Sequence, residues 1–267
     1  MNRTGRIKLT LAYDGAAYHG WQLQPGVRTV QGELETALSR LADRRVSTIA
    51  AGRTDTGVHA TGQVVSVDMP ENWTAGALRK SLNAILPGDV WVASAEPVPS
   101  TFHARKSAIA RGYIYRIGLG EGALSPFHHR WCWPIREPLA RSILDATAAA
   151  LTGEHSFRGY AKSGQPERGY RCEVHTARWF DWPGRGLEFR IVADRFLHHM
   201  VRYLVGTMAD AGRGRRPARD VAELLTGPRP GELETSPPAP ASGLFLARVY
   251  YHSGELEECG PRNQHLP

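Results

Sequence analysis

The sequence has few cysteines and no long apolar run. Its three cysteines, Cys132, Cys172 and Cys259, are too few for a disulfide framework. No apolar stretch is long enough to span a bilayer, and no N-terminal run resembles a signal peptide. These absences argue against a disulfide-stapled secreted domain and against a membrane-spanning protein. We therefore expect a reduced, cytoplasmic protein with no membrane partner.

Lysine is also scarce. The 267 residues include 33 Lys plus Arg, and only 4 of these are lysine. Arginine binds phosphate through a planar fork, although a codon bias towards arginine would produce the same ratio. The formal charge of +7 favours an anionic partner, with nucleic acid first. The surplus is uneven, because the net charge is +2 over residues 1–105, +8 over 106–229 and −3 over 230–267.

Apolar spacing predicts an α+β protein built from two similar halves. The apolar fraction of 42% is ordinary for a globular chain, and 267 residues favour two domains. The first half has predicted strands at 6–13, 46–51, 63–68 and 90–95, with helices that follow caps at Thr29 and Thr74. The second half has predicted strands at 111–118, 173–180, 187–194 and 244–251, with helices at 138–150, 196–211 and 217–226.

Both halves follow the order β-α-β-β-α-β. We therefore expect two ferredoxin-like domains that form a mostly antiparallel mixed sheet with a cleft between them. The N-terminal domain is expected at 1–105 and the basic C-terminal domain at 106–251, followed by a loose acidic tail at 252–267. The proline-rich segment 227–243 is predicted to be a loop.

The most unusual stretch is AGRTDTGVH at 51–59, which follows a predicted strand and places Asp55 on a tight loop. An aspartate between glycines is common turn chemistry. This loop nevertheless concentrates more polar side chains than a turn requires, and Arg53 is close enough to favour an ionised carboxylate. The triplet Asp55-Thr56-Gly57 also occurs in aspartic proteases, which need a second carboxylate, and only one such triplet is present.

Sequence motifs for a metal site or a nucleotide site are weaker than the motif around Asp55. No phosphate-binding G-x-x-x-x-G-K loop is present, and no glycine series has dinucleotide-binding spacing. Neither His128 and His129 with Cys132 nor the pair His198 and His199 has partners at metal-ligand spacing. On the predicted helix 196–211, adjacent histidines would also point to different sides. We therefore predict no metal site.

Three other residues have two possible roles each. Tyr113 alternates with Tyr115 on a predicted strand, where tyrosines are ordinarily part of the core. Phe102 lies at the expected domain join, where it either anchors a loop or stacks on a splayed-out base. Arg202 lies off the apolar stripe of its helix, so it is either solvated or reaches Asp55 across the expected cleft.

Together these segments resemble the TruA family of tRNA pseudouridine synthases. The resemblance covers roughly residues 6–251, and the matches occur in the family's order. The matching segments are Tyr13-Asp14-Gly15, Gly20-Trp21-Gln22-x-Gln24, G-R-T-D-x-G-V-H at 52–59, Thr61-Gly62-Gln63-Val64, Asn83-x-x-Leu86-Pro87, Phe102-His103-Ala104-Arg105, Arg111-x-Tyr113-x-Tyr115 and Phe196-x-x-His199-Met200-Val201-Arg202.

The resemblance implies an enzyme that isomerises uridine to pseudouridine in the anticodon arm of tRNA, with no metal and no organic cofactor. Asp55 matches the family's catalytic aspartate, the nucleophile or anion that starts cleavage of the glycosidic bond. Arg53 and Arg202 match basic residues that would hold this aspartate ionised and oriented. Tyr113 matches the active-site tyrosine that stacks on the base.

The resemblance also implies how the substrate is held. Phe102, His103 and Arg105 are expected to contact the tRNA, and the family's members are homodimers, so a homodimer is expected. The alternative from another class is a non-catalytic RNA-binding protein on the same fold. An aspartate near a phosphate path argues against it, because binding alone would not need an acid there.

Overall fold

The computed structural model of the chain describes residues 4–162, 169–227, 231 and 233–257. It divides into two compact units. The first contains residues 4–109 and Phe245–His252, and the second contains the described residues of Ala110–Leu244 and the segment 253–257. Both are mixed α+β units with mostly antiparallel strand pairing.

The elements of the described chain have the following bounds. The strands are β1 (Thr4–Tyr13), β2 (Thr48–Ala50), β3 (His59–Pro70), β4 (Val90–Pro97), β5 (Ala110–Leu119), β6 (Trp133–Ile135), β7 (Gly153–Ser156), β8 (Arg171–Trp182), β9 (Gly186–Ala193) and β10 (Leu244–Tyr250). The helices are α1 (Val30–Ala42), α2 (Ala75–Ile85), α3 (Arg141–Ala149), α4 (Met200–Gly212), α5 (Arg219–Glu223) and α6 (Ser253–Glu257). Single 3-10 turns lie at Gly15–Ala17, Glu121–Leu124, His129–Trp131, Arg158–Tyr160, Leu224–Thr226 and Ala241–Gly243.

The first unit follows the local signals in its sequence. Apolar alternation over β1 buries one face of the strand, and β1 pairs antiparallel with both β3 and β4. The predicted caps are confirmed, since the hydroxyls of Thr29 and Thr74 accept from the backbone N–H groups of Gly32 and Ala77. These caps fix where α1 and α2 begin.

The last strand of the chain belongs to the first unit. We expected it to complete the second half, but β10 pairs in parallel with β3, with Phe245 opposite His59. The approach is close at Gly62, where an added Cβ would lie 2.1 Å from the carbonyl oxygen of Ala247. The first unit is therefore interrupted after Ile109 and continues at Phe245, after the second unit has been formed. No local sequence pattern specifies the pairing of β10 with β3.

The second unit contains the antiparallel strand order β5-β9-β8-β7, with β6 parallel to β5. The short strands β6 and β7 were not predicted, because three or four residues are too few to show a periodicity. Helix α3 packs against β8, where Arg141 donates to Asp181 at 2.7 Å and to the carbonyl oxygen of Trp179 at 2.8 Å.

The expected start of one helix is wrong. The helix predicted over 196–211 begins only at Met200, because His199 has a left-handed backbone with φ 63° and cannot continue it towards the N-terminus. The two adjacent histidines therefore lie before the helix, with the rings of His198 and His199 4.2 Å apart. Part of the expected loose tail is also helical, in α6, whereas residues 258–267 lie outside the described residues.

Among the residues that the structure describes, no helix has both the length and the apolar character needed to cross a bilayer.

A half-buried charge cluster fixes the segment that precedes α1. The Asp89 carboxylate accepts from Tyr18 Oη at 2.5 Å and from Arg28 Nη1 at 2.8 Å, and Arg28 Nε donates to Glu33 at 2.7 Å. The Arg28 guanidinium also lies 4.2 Å from the centre of the Tyr18 ring. Burial alone would raise the pKa of Asp89, but the hydrogen bonds from Arg28 and Tyr18 outweigh it and lower the pKa.

The close approach at Gly62 predicts a selective loss of stability. The variant Gly62→Ala adds a Cβ that collides with the main chain of β10, so we expect a loss of about 1–3 kcal/mol in the free energy of unfolding. The control is Gly76→Ala in α2, where nothing lies within 4 Å of the added Cβ. That control should be neutral or stabilising by about 0.5–1 kcal/mol. Equal urea midpoints for the two variants would contradict the assignment.

The Asp89 cluster predicts a pH-dependent effect of Asp89→Asn. Because the folded pKa is lowered, the carboxylate stabilises the fold above its unfolded pKa of about 3.9 and loses this effect as the pH falls further. The variant should therefore be less stable than the wild type at pH 7, and the gap should narrow below about pH 4. Urea unfolding at several pH values measures this, with the exposed Asp43→Asn as the control. A gap that widens in acid would contradict the prediction.

Candidate active site

The loop 51–58 between β2 and β3 carries the candidate catalytic residue. It starts where Ala51 N–H donates to the carbonyl oxygen of Val64 at 2.8 Å and closes where Val58 N–H donates to that of Asp55 at 3.1 Å. The Asp55 side chain is half-buried, whereas Arg53 is exposed. The loop therefore presents a carboxylate and a guanidinium on a short, turned backbone.

Two glycines allow the preceding chain segment to lie directly against this loop. Gly20 has φ +83°, and a Cβ there would lie 2.6 Å from the carbonyl oxygen of Thr54. At Gly15 a Cβ would lie 2.0 Å from the carbonyl oxygen of Val58. Directly after Gly20, the Trp21 N–H donates to the Thr54 carbonyl oxygen at 3.0 Å. Both glycines are therefore required by contacts with the backbone of the Asp55 loop.

The side of the loop that faces the core is held by a buried polar network. Tyr13 Oη and Thr54 Oγ1 lie 2.8 Å apart, and Gln63 Nε2 donates to the carbonyl oxygen of Gly52 at 2.8 Å. Burial raises the pKa of Tyr13 well above its ordinary value, although its hydrogen bonds to Thr54 and Gln63 lower it in part. Tyr13 is therefore neutral, and either hydroxyl can donate in its hydrogen bond with Thr54, which is only 5% exposed.

Tyr13 and Gln63 are site residues whose roles are not predicted from the sequence. Both belong to segments that resemble the family, but neither is itself reactive. Their signal was present in the alternation of β1, which directs Tyr13 inwards, and in the presence of a polar Gln63 within an otherwise apolar strand. A buried amide in a strand requires a polar partner, and this one is the loop that carries Asp55.

Arg53 was expected to hold Asp55 ionised. Its side chain is exposed, and within the described ranges it makes no ion pair and no side-chain hydrogen bond. The guanidinium is therefore available to an anion from solution, such as a phosphate.

The segment around Phe102 divides between structural and exposed residues. The Phe102 ring packs at a tilt of 51° against Tyr251 with ring centres 5.0 Å apart, and the Phe102 carbonyl oxygen accepts from Arg6 at 2.9 Å. His103 Nδ1 accepts from the backbone N–H groups of Arg105 and Lys106 at 3.2 and 3.1 Å. These contacts favour the anchoring role for Phe102 and give His103 a turn-capping role. Arg105, in contrast, is exposed.

Tyr113 lies on β5 in the second unit. Its ring meets Phe196 edge-on with centres 4.8 Å apart, and the side chain is half-buried. Its neighbour on the same strand face, Tyr115, is fully buried and donates to the carbonyl oxygen of Pro240 at 2.9 Å. The expected core role therefore applies to Tyr115, and Tyr113 is the more accessible of the two.

Arg202 lies on α4 in the second unit and has a definite structural contact. Its Nε donates to the carbonyl oxygen of Ala239 at 2.7 Å, and Ala239 N–H donates back to the carbonyl oxygen of Arg202 at 2.9 Å. The next turn of the helix also meets this proline-rich segment, because a Cβ at Gly206 would lie 2.2 Å from the Pro237 carbonyl oxygen. Arg202 therefore anchors the segment before β10 and is not simply solvated.

Comparison with known sequences shows to which protein family this chain belongs. The sequence profile of the tRNA pseudouridine synthase family matches residues 10–105 and 147–252. The chain is 40% identical to tRNA pseudouridine synthase A of Moorella thermoacetica over 92% of this chain and 99% of that protein. It is 39% identical to tRNA pseudouridine synthase A of Geobacillus kaustophilus over 96% of each.

Among solved structures the chain is similar to the archaeal box H/ACA sRNP Nop10–Cbf5 complex. The TM-score is 0.36 with 10% identity, and the match covers 93% of this chain and 52% of that chain. This score is too low to support an argument. The profile match, in contrast, includes the Asp55 loop and most of both units, and the curated relatives agree with it over nearly their whole length. The chain belongs to the tRNA pseudouridine synthase family.

Proposed function

We propose that this chain isomerises uridine to pseudouridine in the anticodon arm of tRNA, with Asp55 as the group that starts the reaction. The observation that carries the proposal is the half-buried carboxylate of Asp55 on a loop whose backbone is fixed by Gly15, Gly20 and Thr54. A catalytic group needs such a fixed position, because small displacements of a reacting atom are costly.

The proposed reaction rearranges bonds within one nucleotide. The bond between uracil N1 and ribose C1′ breaks, the uracil rotates, and a bond forms between C5 and C1′. The proton on C5 is lost to solvent and N1 gains one, so the product is an isomer of the substrate. A carboxylate is suited to this because it is ionised at neutral pH and can add covalently and leave again. Attack by Asp55 on the sugar and attack on the base are both compatible with this scheme.

The substrate uridine must leave its helix to reach a half-buried carboxylate. We propose that Tyr113 stacks on the extruded base, since its ring is half-buried and already packed edge-on against Phe196. Arg53 and Arg105 are exposed cations in the first unit, and we propose that they contact phosphates beside the reacting nucleotide. Phe102 and His103 would then act on the substrate indirectly, by shaping the turn that presents Arg105.

The finer architectural expectations belong to the same proposal. A two-domain ferredoxin-like plan is supported by the element order β1-α1-β2-β3-α2-β4 in the first unit. We also propose that the chain acts as a homodimer in the cytoplasm, as its resemblance to the family implies. No step of the proposed reaction requires a metal or an organic cofactor.

The first test of the proposal is Asp55→Asn, assayed on unmodified tRNA carrying tritium at uracil C5. The wild type should release the label, and the variant should release none above background while it still binds tRNA. The exposed Asp43→Asn is the control, because it removes an acid elsewhere in the same unit and asparagine suits its φ of 50°. No release by the wild type would overturn the proposed function, in favour of a binding protein. Full release by Asp55→Asn would overturn only the role of Asp55.

The second test separates the two roles of Arg202. If this residue orients the reacting carboxylate, Arg202→Ala should lower the single-turnover rate far more than it weakens tRNA binding. The same change removes the contact with Ala239, so urea unfolding is measured in parallel. The control Thr207→Val removes another contact of the proline-rich segment, the hydrogen bond from Ser236 N–H at 3.3 Å. Similar single-turnover rates in the two variants would show that Arg202 acts only through this segment.

A further inference from the structure

One face of the sheet in the second unit is occupied by arginines and aromatic rings. Directly opposite residues of antiparallel strands share a face. Arg116 lies opposite Glu188, which lies opposite Phe180, and Arg190 lies opposite Arg178. We call this set the arginine face; it comprises Arg116, Arg178, Phe180, Trp182, Glu188 and Arg190, together with Arg185 in the turn after β8.

The opposite face of the same strands forms the core. Trp179, Phe189 and Ile191 are each at most 3% exposed. Helix α3 lies on that side, because Arg141 reaches both Asp181 and the backbone of Trp179. The arginine face therefore lies on the side of the sheet opposite α3. Ile114, opposite Arg190, is on the same side and is 3% exposed, so the accessible part of the face is the end that carries Arg178 and Arg185.

The charges of the arginine face do not cancel. Glu188 is its only acidic member, and its side chain is 7% exposed. It accepts from Arg116 Nε at 3.0 Å and from Arg190 Nε at 2.7 Å, so one carboxylate serves two guanidinium groups. Arg178 is exposed and, in the part of the chain that the structure describes, has no ion pair. The surface is therefore net positive.

The aromatic rings orient these cations. The guanidinium carbons of Arg116 and Arg185 lie 5.2 and 5.4 Å from the centre of the Trp182 ring, and that of Arg190 lies 4.6 Å from the centre of Phe180. A guanidinium held against a ring loses little freedom when it binds a ligand, and its N–H groups remain available to phosphate oxygens. Such pre-orientation is typical of a binding surface.

The segment 120–132, which joins β5 to β6, extends this surface. Its residues cover Gly118, where a Cβ would lie 2.5 Å from Ala123 Cβ and 2.7 Å from Cys132 Sγ, and Gly118 shares the face of Arg116. The segment 120–132 also carries Phe127, which is 81% exposed, and the exposed Arg130. The Arg130 guanidinium lies 5.2 Å from the centre of the Trp131 ring, and exposed aromatic rings and cations on one segment are suited to a base or a ribose.

We propose that the arginine face binds the sugar-phosphate backbone of the tRNA substrate and takes no part in the reaction at Asp55. Four guanidinium groups against one carboxylate favour a polyanion over a protein partner. This inference rests on the proposed function, because it assigns a second contact surface to the same substrate. It predicts that the surface contributes to affinity and not to the chemical step.

The test is the double variant Arg178→Ala/Arg185→Ala. Both side chains are exposed, so the fold should be retained, which thermal unfolding checks. Dissociation constants for fluorescently labelled, unmodified tRNA are measured by anisotropy over a salt series. Each lost phosphate contact should reduce the slope of log K against log salt by about 0.9, which is about a fivefold loss of affinity at 0.15 M salt. The turnover number at saturating tRNA should not change.

The matched control is Arg40→Ala/Arg219→Ala, which removes the same charge from exposed positions outside the arginine face. It should change the slope less than the test variant does. Equal changes would overturn the proposal, because they would reflect net charge alone. A changed oligomeric state in the test variant, seen by light scattering, would also overturn it by assigning the face to a second copy of the chain. Tritium release by the wild type in the same preparation tests the proposed function separately.

Discussion

The structure around Asp55 depends on the close approach of one stretch of backbone to another. Main-chain atoms of the Asp55 loop occupy the space that a side chain at Gly15 or Gly20 would need. The loop is therefore positioned by backbone contacts and by the buried pair of Tyr13 and Thr54. This arrangement separates stability from chemistry, because the groups that fix the loop are different from the one that would react.

The same constraint explains why distant segments matter to the loop. The chain around Gly20 holds its position because Tyr18 and Arg28 bind the carboxylate of Asp89, which lies just before β4. The Arg28 guanidinium donates through its fork to both Asp89 and Glu33, and this fixed geometry favours one arrangement of the segments it joins. The candidate active site is thus coupled to a cluster that contains none of its proposed reacting groups.

Local patterns in the sequence predicted the local features of this fold. The caps at Thr29 and Thr74 and the alternation that buries one face of β1 depend on neighbouring residues, and they are confirmed. The pairing of β10 with β3 joins residues far apart in the chain, and periodicity encodes neither this pairing nor the left-handed backbone of His199. Asp55 was identified by its unusual motif, whereas its partner network through Tyr13 became visible only in three dimensions.

The distribution of arginines shows why net charge does not locate a binding surface. The second half of the chain carries most of the surplus, yet several of its arginines are used internally: Arg216 binds Asp220 and the carbonyl oxygen of Glu234, and Arg141 joins α3 to β8. Lysine could not make such forked contacts, so structural demand is a third reason, beside codon bias and phosphate binding, for the scarcity of lysine. What distinguishes the arginine face is therefore geometry: three of its four cations lie on rings, two of them share one carboxylate, and the face lies on the side of the sheet opposite α3.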